Sequence, residues 1–502
     1  MAASMAALMA CSTVGPDFRP PHTEVPASWS SRGSSASDLA SNVKLDPATE
    51  PRGDWWRDFN DPVLDELQAR AVAENPDLQT AALRFAQARL QRSVVESQEG
   101  PQLGISAQAL RERASEHSPE TRLVNAIGGA NAGPLVHLLS SPMSLYQGGF
   151  DVSWELDMWG RVRRSVESAN ATLDQAAAQL RGVRLTLASE LARAYFELRG
   201  LQAQQALLER DIALTQDLLA LRKAQAGHGL TDQDAPLSQS QGLMMLQSQQ
   251  VSLRAQQAAL MNQVGLMLGQ EPGALVGLLS PVTSLPAMSG AAPVASGTDI
   301  EAASSGSLPD LAVGASSSMV RRRPDVAAAE ARLHEATADI GAATADLYPR
   351  IALGASAGLQ SIQAGSFTDW GSRTWQIGPV LSLPLFDQGR RRATVELRRQ
   401  QQQEAAVAWQ KSVLVAWQEV DDALVSHGAE QAKQAQLVLR EQQSHEQYDL
   451  ARARAQSGLT SELPMLQAEL TWRQAQADVQ QGATRLQTSR VAIYKAMGGG
   501  TS

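Results

Sequence analysis

Between Phe150 and Met158 apolar and polar side chains alternate without a break. Phe150, Val152, Trp154, Leu156 and Met158 fall on one parity, and Asp151, Ser153, Glu155 and Asp157 on the other. A period of two sends each set to its own face of a strand. The spacing predicts strands at about 149–158 and, from Trp375, Ile377, Leu381, Leu383 and Leu385, at about 374–386. Two further strands are predicted at about 102–112 (Leu103, Ile105, Ala107, Ala109) and 350–360 (Ile351, Leu353, Ala355, Ala357, Leu359). Alternation alone also permits a sheet packed on a soluble core. Few strands beside several hundred helical residues, with acids all on one face, favour a wall between lipid and water. Four strands are too few for a membrane barrel, which needs about eight, and open edges in lipid leave backbone groups unpaired. Such a chain must pool its strands with copies of itself, and three copies supply twelve.

The second half of the chain repeats the first. Asn75-Pro76-Asp77-Leu78 returns as Arg323-Pro324-Asp325-Val326, 248 positions later, and Pro101 returns as Pro349 at the same offset. Trp159-Gly160-Arg161 returns as Gln388-Gly389-Arg390, 229 positions later. That offset persists to Gly229-Leu230-Thr231 against Gly458-Leu459-Thr460, and to Leu268-Gly269 against Met497-Gly498. The change of 19 residues falls in one segment, 102–148 against 350–377, as expected of a variable loop on a duplicated unit. Each copy reads helix, strand, loop, strand, very long helix, tight turn, returning helix. The opening helices are predicted at about 61–99 and 324–347. From Arg161 to about Ala226 no proline occurs and only Gly182 and Gly200 interrupt, so the predicted helix is on the order of 100 Å long. Gly227-His228-Gly229 ends it and a return runs to about Leu268. In copy two the helix reaches Gln456, Ser457-Gly458-Leu459-Thr460 turns, and the return runs to Met497. Glycine suits the left-handed cap, and Thr231 and Thr460 are candidates to cap the returning helices. The domain reading is 1–10 leader remnant, 11–54 extended tether, 55–269 first repeat, 270–320 low-complexity linker or spacer, and 321–499 second repeat.

Composition then narrows the class. Mean hydropathy is −0.23 and no apolar run approaches the 18 or so residues of a spanning helix. A net charge of −9 argues against nucleic acid as a partner. The single cysteine, Cys11, follows Leu8-Met9-Ala10 and reads as a lipoprotein processing site, with Ser12 directing the product to the outer membrane. Met9 stands where a small residue is usual, and no basic stretch precedes it. There is no HExxH, no phosphate-cradling glycine loop and no Cys/His metal spacing, so neither enzymatic chemistry nor a cofactor is expected. Met244, Met245, Met261 and Met267 lie at helical spacing and read as packing residues rather than copper ligands.

Five motifs spread over nearly the whole chain carry a family resemblance. They are Cys11-Ser12-Thr13-Val14-Gly15-Pro16-Asp17-Phe18, and Trp55-Trp56-Arg57-Asp58-Phe59 with Asp61-Pro62. Next come Trp154 to Arg161, then Arg321-Arg322-Arg323-Pro324-Asp325-Val326 with Ala329-Glu330-Ala331, and Pro384-Leu385-Phe386-Asp387-Gln388-Gly389. In these the chain resembles the TolC-like outer-membrane efflux proteins, and within them the lipidated NodT-type branch of multidrug efflux. The resemblance implies a mainly α protein with a membrane β-barrel: a homotrimer with a twelve-stranded barrel in outer-membrane lipid, a helical barrel in the periplasm, and an equatorial belt from linker and termini. It implies an exit duct for drugs and small toxic molecules, joined by a periplasmic adaptor protein to an inner-membrane pump. Type I protein secretion or metal-ion efflux on the same fold is the alternative; a non-channel helical scaffold is the remote one. The branch carries a leucine and, four residues on, an aspartate ringing the periplasmic aperture. Here these are Leu463 and Gln467, so the acid is absent at that position and the neighbouring Glu462 is the candidate to supply it. Leu230 and Leu459, with Gly229, Thr231, Gly458 and Thr460, occupy equivalent turns. An apolar residue placed twice at a tip is expected either to dock adaptor hairpins or to fold back as a cap contact.

Overall fold

A computed structural model describes residues 13–21, 45–46, 52–127, 129, 132–280, 311–312 and 322–499. Cys11, the leader and most of the tether and linker lie outside the described residues. The chain forms two compact units, each drawn from both repeats: residues 1–20, 87–174 and 331–406, and residues 21–86, 175–330 and 407–502.

The first unit holds an antiparallel four-stranded sheet of β2 (Gln102–Glu112), β3 (Met143–Glu155), β5 (Arg350–Ser361) and β6 (Arg373–Ser382), in that order. The repeats meet in its centre, where β3 pairs with β5. Register joins the apolar parities into rows: Leu103, Val152, Ala355 and Ile377 in one, Ile105, Phe150, Ala357 and Trp375 in the next. Gly149 faces Gly358 across that centre, and a Cβ on either would lie within 2.8 Å of the opposing backbone.

Strand limits depart from the expected ones because pairing sets them. β3 starts at Met143 rather than 149, since β2 supplies partners as far as Glu112. It ends at Glu155 rather than 158, where Asp157 accepts the amides of Val162 and Arg163 and opens the next helix. β6 stops at Ser382, opposite the first residue of β5, and Pro384 has no N–H to extend it; Leu383 and Leu385 lie beyond the sheet. The variable segment of copy one forms two helices, α3 (Pro119–Ile127) and α4 (Ala132–Leu139), where the pattern of residues predicts only a loop.

The predicted opening helix is two: α1 (Pro62–Glu74) and α2 (Pro76–Glu96). Pro76 drives Asn75 into an extended conformation, and the Asn75 side chain then accepts the Leu78 amide at 2.7 Å. α5 (Arg161–Gly227) runs 67 residues, through both Gly182 and Gly200. Those glycines are close-packing positions rather than interruptions: a Cβ on Gly200 would strike Thr484, and one on Gly182 would touch Pro324. α6 (Asp234–Met267) and the short α7 (Val276–Leu279) complete copy one. Copy two supplies α8 (Pro324–Ala345), α9 (Arg390–Gln456, again 67 residues) and α10 (Glu462–Ala496).

The second unit is built on one large core. Trp55, Leu64, Leu67, Leu191, Leu198, Val264, Leu268, Val491 and Met497 are buried together. The Trp55–Phe59 turn is its hinge pin: Trp55 stacks on Tyr494 at 5.0 Å, and the Tyr494 hydroxyl donates to Asp58 at 2.6 Å. Tyr195 makes the same bond to Asp61, also 2.6 Å. Burial, reinforced by Asp58, pushes the Tyr494 hydroxyl up to about 12, so the bond persists at any physiological pH. Arg323 is buried against Asp325 and Glu419 and donates to the Ala496 carbonyl at 2.7 Å. Tether and linker are not bare spacers throughout, because β1 (Leu45–Asp46) pairs in parallel with β4 (Leu311–Ala312).

His427 is buried in this unit, with Nδ1 2.8 Å from the Ser489 hydroxyl. Burial, and after it the charge of Arg490, lower its pKa from 6.5 to about 4. The unfolded chain takes up this proton first, so the contribution of neutral His427 is complete above pH 6.5 and is lost as pH falls toward 4. The loss is on the order of 3 kcal/mol. The apparent melting temperature of His427→Gln should therefore fall less than that of the parent between pH 7 and pH 4.5; parallel curves would remove His427 as the cause.

Candidate functional site

Three features of the chain are the candidates for function. The first is the sheet. One face is apolar and uncovered: Ile105 is 75 % exposed, Trp375 78 % and Ile377 66 %. The opposite face carries Gly104, Ser106 and Gln108, Gln147, Asp151 and Ser153, Ser356 and Gln360, and Thr374 and Gln376. β2 and β6 each leave one edge without a partner among the described residues. At one end of the sheet the Trp154 indole donates to the Glu99 carbonyl at 2.8 Å and the Trp159 indole to that of Pro349 at 2.9 Å. Trp159 also stacks on Tyr348 at 4.7 Å. An apolar band finished by hydrogen-bonded aromatic side chains is the composition of a lipid-facing wall.

The second feature is a strap formed by residues 13–18, within the segment expected to be an extended tether. Val14 donates its amide to Trp159 at 3.1 Å and its carbonyl accepts from Arg164 at 3.4 Å. Gly15, at φ +94°, sits so close to Gly341 that a Cβ would lie 2.5 Å from its Cα. The buried Arg164 pairs with Asp17 at 2.6 Å and Glu167 at 2.7 Å. Glu167 in turn meets His334 at 3.0 Å, and Phe18 stacks on that imidazole at 4.3 Å. The Gly-Pro-Asp-Phe run was the only local signal; its partners lie about 150 or more positions away and leave no periodicity to read. The strap fixes the chain two residues after Cys11 beside the β3–α5 corner.

The third feature is the pair of turns. α5 and α9 each end in a Schellman motif: Leu230 donates its amide to Gln225 and Leu459 to Arg454, both at 2.9 Å. Gly229 and Gly458 take φ values of +71° and +69°, where a Cβ would be strained. Leu230 and Leu459 are 77 % and 76 % exposed, so neither folds back onto its cap. The threonines do not cap as expected. The residues preceding α6 and α10 are Gln233 and Ser461, and neither helix start has a side-chain cap bond. Leu463 is half-buried at the start of α10, while Glu462 and Gln467 are exposed. Leu463 and Gln467 share one helix face, and Glu462 points elsewhere.

Sequence reasoning missed the clamp above the second turn: the Trp472 indole donates to Glu441 at 2.6 Å and stacks on Tyr448 at 5.3 Å. Only two of the four methionines expected to pack do so. Met261 and Met267 pack on the core, but Met244 and Met245 are exposed. Among the described residues no group of three or more His, Cys, Asp or Glu could hold a metal.

Comparison with known proteins finds relatives along nearly the whole chain. A family model described as "Outer membrane efflux protein" matches residues 67–270 and 315–499. The chain is 29 % identical to the outer membrane protein OprJ of Pseudomonas aeruginosa, over 98 % of this chain and 94 % of that protein. It is 30 % identical to the pyoverdine export outer membrane protein OpmQ of Pseudomonas putida, over 98 % and 95 %. Among solved structures, the outer-membrane channel OprN superposes with a TM-score of 0.81 at 28 % identity, covering 97 % of this chain and 99 % of that one. The CmeC outer membrane channel of Campylobacter jejuni shares the fold, with a TM-score of 0.80 at 20 % identity over 98 % and 96 %.

The strap leads to a direct test. Arg164→Ala removes the charged hydrogen bonds to Asp17 and Val14, so amide exchange at Val14 should quicken by about tenfold or more while Val152 in the sheet is unchanged. Unaltered exchange at Val14 would mean that other contacts hold the strap.

Proposed function

The chain belongs to the outer membrane efflux protein family, and from that premise we propose how its parts make an exit duct. It is an outer-membrane channel through which an efflux pump discharges its cargo. The carrying observation is the sheet: apolar and bare on one face, polar on the other, open at both edges. Three copies close those edges into a twelve-stranded barrel, with the apolar face toward lipid and the polar face lining a water-filled bore. The duct performs no chemistry; it supplies a wall, and the pump supplies the energy. Cargo is small toxic molecules, a reading supported by relatives named as the outer membrane proteins of an antibiotic and a toluene efflux pump.

Cys11 carries the acyl anchor. The strap supports this, because it holds the residues that follow Cys11 at the end of the sheet where Trp159 and Tyr348 stack. Acyl chains and barrel are then two anchors at one membrane level. The turns dock the adaptor: six exposed leucines in a trimer, each on a rigid glycine cap, form a repeated apolar surface with no role inside the chain. Leu463 narrows the periplasmic aperture, and Gln467 and Glu462 give it a polar rim.

Light scattering of the protein in mild detergent should give the mass of three chains; a monodisperse monomer or dimer would contradict the pooled barrel. For the tips, Leu230→Asp with Leu459→Asp should abolish drug resistance in cells at unchanged trimer and membrane level. Full resistance in that variant at matched expression would leave the turns as helix caps only.

A further inference from the structure

One charge stands in the middle of the sheet's polar face. Along β3 that face reads Gln147, Gly149, Asp151, Ser153 and Glu155, and the row through Asp151 runs Gly104, Asp151, Ser356, Gln376. The other charges on this face lie at its ends. Glu155 is held by Arg161 in a two-bond pair at 2.9 and 2.8 Å, and Arg350 is tied to Asp346 at 2.6 Å. Glu112 closes the far end of β2. Asp151 is exposed, and its carboxylate has no ion-pair or hydrogen-bond partner among the described residues. Its carboxylate lies across Gly104, with Oδ2 2.9 Å from where a Cβ of that residue would be, so the glycine provides the room the acid occupies. Gly149 and Ser153 flank it on its own strand, and Ser356 faces it on the next. Nothing large enough to cover it stands nearby.

A carboxylate within a membrane-embedded wall is costly unless it faces water. An unneutralised one beside low-dielectric walls raises the local concentration of cations and repels anions. On the reading that the polar face lines the bore of a trimer, three such carboxylates stand at one level. We propose that Asp151 sets the charge preference of the outer-membrane passage, favouring cations and cationic small molecules over anions.

The experiment measures the reversal potential of the full chain in planar bilayers across a potassium chloride gradient, for the parent, Asp151→Asn and Asp151→Lys. Asparagine is isosteric and keeps the cradle filled, so insertion and unit conductance serve as controls for folding. The potassium-to-chloride permeability ratio should fall by about twofold or more in Asp151→Asn, and further in Asp151→Lys. An unchanged ratio in Asp151→Asn channels of normal conductance would overturn the role of Asp151 and leave the duct standing. Parent protein that inserts but carries no ion current would overturn the duct reading and this proposal with it.

Discussion

Backbone amides and carbonyls in a hydrocarbon layer must pair with one another, because no water is present to take their place. The sheet formed by β2, β3, β5 and β6 meets that demand internally and fails it at both edges. No rearrangement within one chain repairs this, since all four strands are already used. The apolar face cannot be turned inward either, because the described residues include no layer to cover it. Association of copies is therefore a condition of the wall's existence. The duplication makes this simple: each repeat contributes a hairpin, β3 and β5 join them, and Gly149 against Gly358 lets the two backbones meet closely at that seam.

The helical part answers a different requirement, which is to hold long helices without a thick core. Ala and Leu predominate along α5 and Gln and Ala along α9, and specific contacts fix their neighbours. Trp55, Tyr195 and Tyr494 anchor one level, with each tyrosine hydroxyl held by an acid of the Trp55–Asp61 segment. Glycine governs where the chain can change direction. Gly160 and Gly389, at φ +80° and +83°, start the long helices; Gly229 and Gly458 end them. A passive duct needs rigid walls and corners, and these are features the chain provides.

How much of this could be read in advance follows from the range of the interaction involved. The wall's faces were legible because a period of two is imposed residue by residue, and the repeat because its punctuation by Pro76, Pro324, Gly229 and Gly458 survives in both copies. Strand limits were less so, since Met143 joins β3 only because Glu112 is there to pair with it. The strap was invisible, as Asp17 and Phe18 depend on Arg164 and His334, which share no pattern with them. Thr231 and Thr460 have cap chemistry at the right spacing, yet each helix starts beyond them, at Asp234 and Glu462. Exposure of Leu230, Leu459 and Met244 could be learned only from the packed chain.

The central claim is that β2 of one copy completes β6 of the next until the ring closes. Cysteine pairs, one at an apolar-face position of β2 between 103 and 109 and one at a matching position of β6 between 375 and 381, test it in intact outer membranes after oxidation. The account predicts that at least one pair in register links copies into a species that stops at three chains. Failure of every pair to link copies, or products that stop at two chains or extend past three, would contradict it.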